Sequence, residues 1–338
     1  MLRGTVRDIS DSRATPRTLQ DRALAVEATF NSIVAAAAPL IIAAMGETIT
    51  EKAGVINLSV EGSIRLSAMT GFAVAFWAGH ALVGFGAAAI VGAAIAAIIA
   101  YSSIGLKLNQ IAVGFVLALL AIDLASFLGD SFVGERGPRV PPLRIPILSD
   151  IPFFGKVLFD QDLVVYASFV AIGATWWFFY RTRPGLNIQG IGERPEAAFA
   201  RGIAVNKLRF WYTVLGGAMV GIAGAAYSLD VKLGWRETLT LNLGWIALAM
   251  VIFGGWHPLR VALGAYLFGA LQVVAFQLQD VFPGVAQVLP VAPFPLMILA
   301  LVFVYADWFK KLGDKFPRIR NLLGSEAPAA LGTVFERE

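Results

Sequence analysis

The chain has no cysteine and only two histidines among its 338 residues. Without thiols there is no disulfide framework, no thiolate metal site and no cysteine nucleophile. The histidines, His80 and His257, lie far apart without any metal-ligand spacing, so each reads as a loop or helix-end residue. Charge is scarce as well: 15% of residues are Asp, Glu, Lys or Arg, against about 25% in ordinary soluble domains. No Gly-x-x-x-x-Gly-Lys-Ser/Thr loop occurs, because the one Gly-Lys pair, Gly155-Lys156, runs into Val157. A Gly-x-Ser-x-Gly elbow and a His-Glu-x-x-His helix are missing too. These gaps argue against ATP binding by that loop, against serine hydrolysis and against zinc peptidase chemistry.

What the chain has in excess is apolar sequence: 57% of residues are hydrophobic and the mean hydropathy is +0.71. That describes a polytopic membrane protein embedded in a lipid bilayer. The pI near 9.4 does not call for nucleic acid, since much of the basic charge lies between apolar segments, where membrane topology accounts for it. The expected fold is an all-α integral membrane bundle of about nine transmembrane helices. Candidate spans fall at 28–46, 55–78, 82–104, 108–129, 163–181, 208–229, 242–256, 259–279 and 290–306. A polar N-terminal tail (1–27) precedes them, and a basic tail (307–338) follows.

Arginine and lysine set the sides. The stretch 181–209 and the C-terminal tail carry six cations each, and with four spans between them they share a face, which the positive-inside rule makes the cytoplasm. Five spans then put the N-terminal tail outside despite its five arginines, and a missed half-span near 47–60 would reverse it. The outer loop 130–162 is rich in proline and reads as semi-rigid, either packed over helix ends or presented to an external partner. Gly217, Gly221 and Gly224 form a bare stripe on one helix face that lets a neighbouring helix approach closely.

Polar groups inside an apolar span must be paired, cavity-facing or near an end, because a charge at mid-bilayer costs about 2.5–3.5 kcal/mol even on the lenient insertion scale. The run from Gly46 to Gly62 is the densest such interruption and predicts a broken or re-entrant helix. Within or near it, Glu47, Asn57 and Glu61 are candidates for a substrate path, with Glu61 and Arg65 four apart on one face as a self-neutralising pair. Asp123 is either a path-lining acceptor or a carboxylate bonded to a neighbouring helix. Asn242 and Trp245 open the seventh span as interfacial anchors or as a platform for a substrate ring. Asn109 and Gln110 mark a helix start.

One charged island stands apart: Gly192 to Gly202. Pro195 suits the first position of a short helix and Gly202 a left-handed residue just past its end. A brief, wet helix between membrane spans is placed to meet a soluble partner.

Two of these motifs carry a resemblance. The run Glu51-Lys52-Ala53-Gly54-Val55-Ile56-Asn57-Leu58-Ser59-Val60-Glu61-Gly62 resembles the Glu-x-x-Gly-Val-x-Asn-x-x-x-Glu-Gly motif of bacterial ABC transporter permeases of the simple-sugar and nucleoside branch. The island resembles their cytoplasmic Glu-x-Pro-x-Ala-Ala-x-x-x-Gly-Ile loop, matched by Glu193, Pro195, Ala197, Ala198, Gly202 and Ile203. Stretches 145–152 and 246–259 fit in order, and Gly54-Val55-Ile56-Asn57-Leu58 with Glu61-Gly62, together with Trp256-His257-Pro258, resemble nucleoside-type permeases more than ribose-type or branched-chain amino-acid ones. Ser59, where many relatives carry glycine, and Arg65 depart from the pattern. The resemblance implies a bacterial inner-membrane importer subunit that holds no cofactor of its own. Its partners would be a cytoplasmic ATP-binding subunit, a second permease subunit and an external solute-binding protein. The ATPase would grip Glu193, Pro195, Ala197, Ala198, Phe199, Arg201 and Gly202, with Phe199 and the arginines seated in its groove. The rivals are an ion-coupled secondary transporter using Asp123 and Glu61, and a structural membrane subunit.

Overall fold

A computed structural model describes residues 19–240, 242–281, four isolated positions between 291 and 299, and 327–336. The described chain is built from helices. α1 (Leu19–Lys52), α2 (Val60–Ala78), α3 (Ala81–Ala100) and α4 (Gln110–Gly129) come first, followed by the short α5 (Phe154–Leu158) and then α6 (Leu163–Arg181). Next are α7 (Arg183–Glu193), α8 (Pro195–Ala200), α9 (Val205–Ala226), α10 (Leu243–Phe253) and α11 (Pro258–Val281). One small antiparallel ladder joins β1 (Pro142–Arg144) to β2 (Asp160–Asp162), with Pro142 opposite Asp162.

Among the described residues, six helices are long and apolar enough to cross a membrane: Leu24–Lys52, Ala81–Gly105, Gln110–Phe132, Leu163–Arg181, Val205–Val231 and Pro258–Gln279. This is a multi-pass, all-α membrane protein. The expected nine crossings are not all present in that form. α2 has 19 residues but carries Glu61 and Arg65, and α10 has only 11 residues, about 16 Å at 1.5 Å per residue. The ninth run, 290–306, lies outside the described residues apart from isolated positions, as do residues 1–18 and 307–326. α1 begins within the segment expected to be a polar tail.

α9 is the axis of the bundle, packing on α1, α2 and α3. Its glycines make that possible. A Cβ added at Gly217 would strike the Gly92 carbonyl of α3, one at Gly221 the Ala88 carbonyl, and one at Gly224 the Ile64 carbonyl of α2. Gly216 meets the Gly46 carbonyl of α1 in the same way. The predicted stripe therefore serves two neighbours, α3 and α2, rather than one, and Gly216 beside it adds α1. Local signals also start the helices where expected. Asn109 Oδ1 accepts from Ala112 N (3.1 Å) at the head of α4, and His80 Nδ1 accepts from Leu82 N (3.3 Å) at the head of α3.

Loop 130–162 is a packed cap over the first end of α1: Asn31 Nδ2 donates to the Lys156 carbonyl (3.2 Å), Lys156 Nζ pairs with Glu27 (3.0 Å), and Phe30 meets Phe153 edge-on at 5.5 Å. The other end of α1 meets α7, where Gly192 lies against the Lys52 carbonyl. The molecule thus has a basic face, bearing α7 and α8, and an opposite face bearing loop 130–162.

Candidate functional site

On the basic face the charged island folds as its punctuation dictates. Thr182 caps α7, its Oγ1 accepting from Gly185 N at 3.0 Å, and Gly185 lies directly on the backbone of Phe178. α8 starts with Pro195 in its first turn and ends two residues before Gly202, whose φ of 80° is left-handed. Pro195 and Ala198 are buried, while Glu193, Ala197, Phe199, Arg201 and Gly202 are exposed. The result is a two-ended knob with one anchored and one free side.

A feature that local sequence patterning does not reveal is what anchors it. Residues 327–336 run across this face. Ala330 N donates to the Gly192 carbonyl (2.8 Å), and Gly332 N to the Gly54 carbonyl (3.0 Å). Phe335 is buried with Ile191, Ala198 and Val205, and its ring lies 5.6 Å from that of Phe199. Arg209, one of the six cations of the stretch 181–209, is 2% exposed. Its Nη1 donates to the Thr333 carbonyl at 2.8 Å, while Nε and Nη2 have no hydrogen-bond partner among the described residues. The only sequence signal for this strap is an apolar stretch, Ala327 to Phe335, inside a tail otherwise read by its charge.

The polar run 46–62 is one helix end, a turn and the next helix start. α1 continues through Glu47 and Glu51, the chain reverses at Gly54 (φ 89°), and α2 begins at Val60. Most of it is buried, with Lys52, Ile56 and Leu58 half-buried, and burial in protein is the condition under which broken backbone survives at membrane depth. Glu47 is fully buried; Oε2 accepts from Asn57 Nδ2 at 3.4 Å, and Oε1 has no partner among the described residues. Asn57 Oδ1 accepts from Ser59 N (3.1 Å) and Ser59 Oγ (2.7 Å), which fixes the turn. Glu51 accepts the indole N–H of Trp256, and Gln110 Oε1 accepts from Ile56 N (2.8 Å).

Glu61 has a further task. Its Oε1 accepts from Asn242 N (3.0 Å) and its Oε2 from Gly244 N (2.8 Å), so it caps the first turn of α10 from another helix. A carboxylate there satisfies orphan N–H groups and opposes the positive end of the helix dipole. Arg65 stands 3.5 Å away as the expected ion pair. Gly244 is packed against the backbone of Val60 and Glu61, so the starts of α2 and α10 meet head to head.

The structure thus gathers Glu47, Asn57 and Glu61 near one break in the bundle. It brings Asn242 to that break through its backbone, held at φ 63°. Trp245 is 37% exposed on α10. Asp123 is exposed on α4 and makes no hydrogen bond to the Glu61 cluster among the described residues. Among the described residues no group of three His, Asp or Glu side chains is arranged to hold a metal.

Comparison with known proteins agrees with this layout. The family described as branched-chain amino acid transport system / permease component matches residues 29–304. The chain is 38% identical over 255 residues, 74% of its length and 78% of the other's, to a Haloferax volcanii protein that carries the name of a glucose ABC transporter permease. It is 32% identical over 282 residues (78% and 88%) to a guanosine ABC transporter permease of Bacillus subtilis. To a nucleoside ABC transporter permease of Lactococcus lactis it is 31% identical over 210 residues (60% and 66%). No solved structure matches. The chain belongs to the branched-chain amino acid transport system permease family and is a membrane-spanning permease subunit of an ABC transporter.

Proposed function

We propose that this permease carries nucleosides or simple sugars into a bacterial cell across the inner membrane. A separate cytoplasmic ATPase would drive it, and an external solute-binding protein would feed it. The observation that carries the reading is α8: a bounded helix with a free side on the basic face, tied through Gly192 to the end of α1 that leads into the 46–62 break. The lack of a Gly-x-x-x-x-Gly-Lys-Ser/Thr loop supports placing the ATPase site on a partner, with this subunit serving transport. Closure of that partner would push α8 as a rigid knob and rock α1 and α9, exposing the path to each side in turn. The exposed side of α8, with Glu196, Ala197 and Arg201 around Phe199, is the face offered to it. The substrate class rests on the names of the glucose, guanosine and nucleoside permeases.

A second permease, identical or related, completes the unit. Asp123 sits on a helix whose most apolar stretch is only 22% buried within the chain; facing lipid there would cost about 2.5–3.5 kcal/mol, which a neighbouring permease removes.

The test is solute uptake by the assembled transporter in proteoliposomes. Uptake should require internal or external ATP on the ATPase side and persist with an ionophore present. Uptake that runs without ATP and collapses with the ionophore would overturn the reading in favour of an ion-coupled carrier.

A further inference from the structure

A cavity of about 640 Å³ opens among α1, the end of α9, the start of α10 and α11, in the half of the bundle away from the basic face. Its size is within the roughly 300–1,000 Å³ of small-molecule sites. Its lining differs from the rest of these apolar helices. α11 turns Gln272, Phe276 and Gln279 toward it, at spacings of four and three that share one helix face. α1 contributes Ser32, and Tyr227 and Thr238 complete the wall. Neither Gln272 nor Gln279 hydrogen-bonds another described residue. Polar amides inside a membrane helix are retained where they meet a partner helix or water, and here they meet a cavity. Among the described lining residues the one charge is Lys232, and none is a carboxylate.

We infer that this cavity is the solute-holding chamber of the permease, built for an uncharged, polar, ring-bearing solute of nucleoside or monosaccharide size. The amides of Gln272 and Gln279 supply donors and acceptors to hydroxyl or base edges, and the Phe276 and Tyr227 rings supply faces for stacking. Lys232 disfavours cations, and a single charge among the described lining residues leaves a compact anion poorly held. The inference deepens the importer reading and rests on it.

The natural lack of cysteine makes the test direct. Gln272→Cys, Gln279→Cys and Ser32→Cys are introduced singly into the assembled transporter in sealed proteoliposomes. Val274→Cys, on α11 but outside the cavity and 45% exposed, is the control. A membrane-impermeant methanethiosulfonate is applied from the face bearing loop 130–162. The three cavity positions should react about tenfold faster than the control, since thiol reactivity follows solvent access. Glucose, ribose, guanosine or uridine should slow them, whereas glutamate and lysine should not. Reaction no faster than at Val274→Cys, protection by none of the uncharged solutes, or equal protection by the charged ones would each overturn the chamber. ATP-dependent uptake by the cysteine-free parent in the same vesicles tests the importer reading separately, so either can fail alone.

Discussion

At the scale of single residues, Glu61 is engaged three ways: with Asn242 N, with Gly244 N and with Arg65. Glu61→Gln keeps the shape but leaves the Arg65 guanidinium, 7% exposed, without its counter-charge. Removing one partner of a buried pair costs about 3–5 kcal/mol. The variant should therefore unfold at clearly lower temperature in detergent, and Glu61→Gln with Arg65→Met should recover part of the loss; equal midpoints for parent and Glu61→Gln would contradict the pairing. His257 gives a pH prediction. Burial, then Arg260 and Lys52, depress its pKa below the ordinary 6.5. A lowered folded pKa means stability present above about 6.5 that is lost as pH falls through the folded value. Between about pH 8 and 5.5 the midpoint should drop more for the parent than for His257→Asn, and identical slopes would refute this. The Glu61–Arg65 pair was legible in sequence because four-residue spacing is local. The α10 cap was not, since its partner lies 181 residues further along and nothing in either segment encodes their meeting.

Among elements, α8 was the most legible: Pro195 and Gly202 sit at its ends because a fixed φ opens a helix and a positive φ closes one. The strap 327–336 was hidden because docking of an irregular segment leaves no period. Deleting residues 327–338 removes the Thr333 carbonyl from Arg209 and Phe335 from Ile191, Ala198 and Val205. The truncated chain should melt about 5 °C lower, and Arg209→Met in that background should restore part of it; an unchanged midpoint would show the strap to be dispensable. In the reconstituted transporter, Glu193→Ala and Gly202→Val should cut uptake while ATP hydrolysis continues. Uptake at the parent rate in the double variant would remove α8 from the coupling role. The glycine stripe of α9 gives a further check. Gly217→Leu places a side chain against the Gly92 carbonyl and Ala96, so overpacking should cost about 1–3 kcal/mol in thermal unfolding.

For the whole molecule, an all-α membrane fold followed from apolar runs alone, while of the nine expected crossings six appear among the described residues as helices long and apolar enough to span. The first residues of α2 and α10 meet each other inside the protein, Glu61 accepting from Gly244 N. Apolar length cannot distinguish a helix that spans from one that starts midway. Asp123 tests the proposed assembly: Asp123→Leu should weaken association between permease subunits, measured as the fraction of dimer by mass in mild detergent. A dimer fraction equal to the parent's would move that carboxylate away from the interface.

α1 is 34 residues long, about 51 Å, whereas hydrocarbon is about 30 Å thick. With Lys52 at the basic face, the opposite tip stands well clear of the lipid tails, and loop 130–162 is fastened to it by Lys156–Glu27 and Phe153–Phe30. The helix acts as a mast. Standing upright in a bilayer, it would lift the loop to headgroup height or above, and a soluble protein arriving from that side would meet a protein ledge before the lipid.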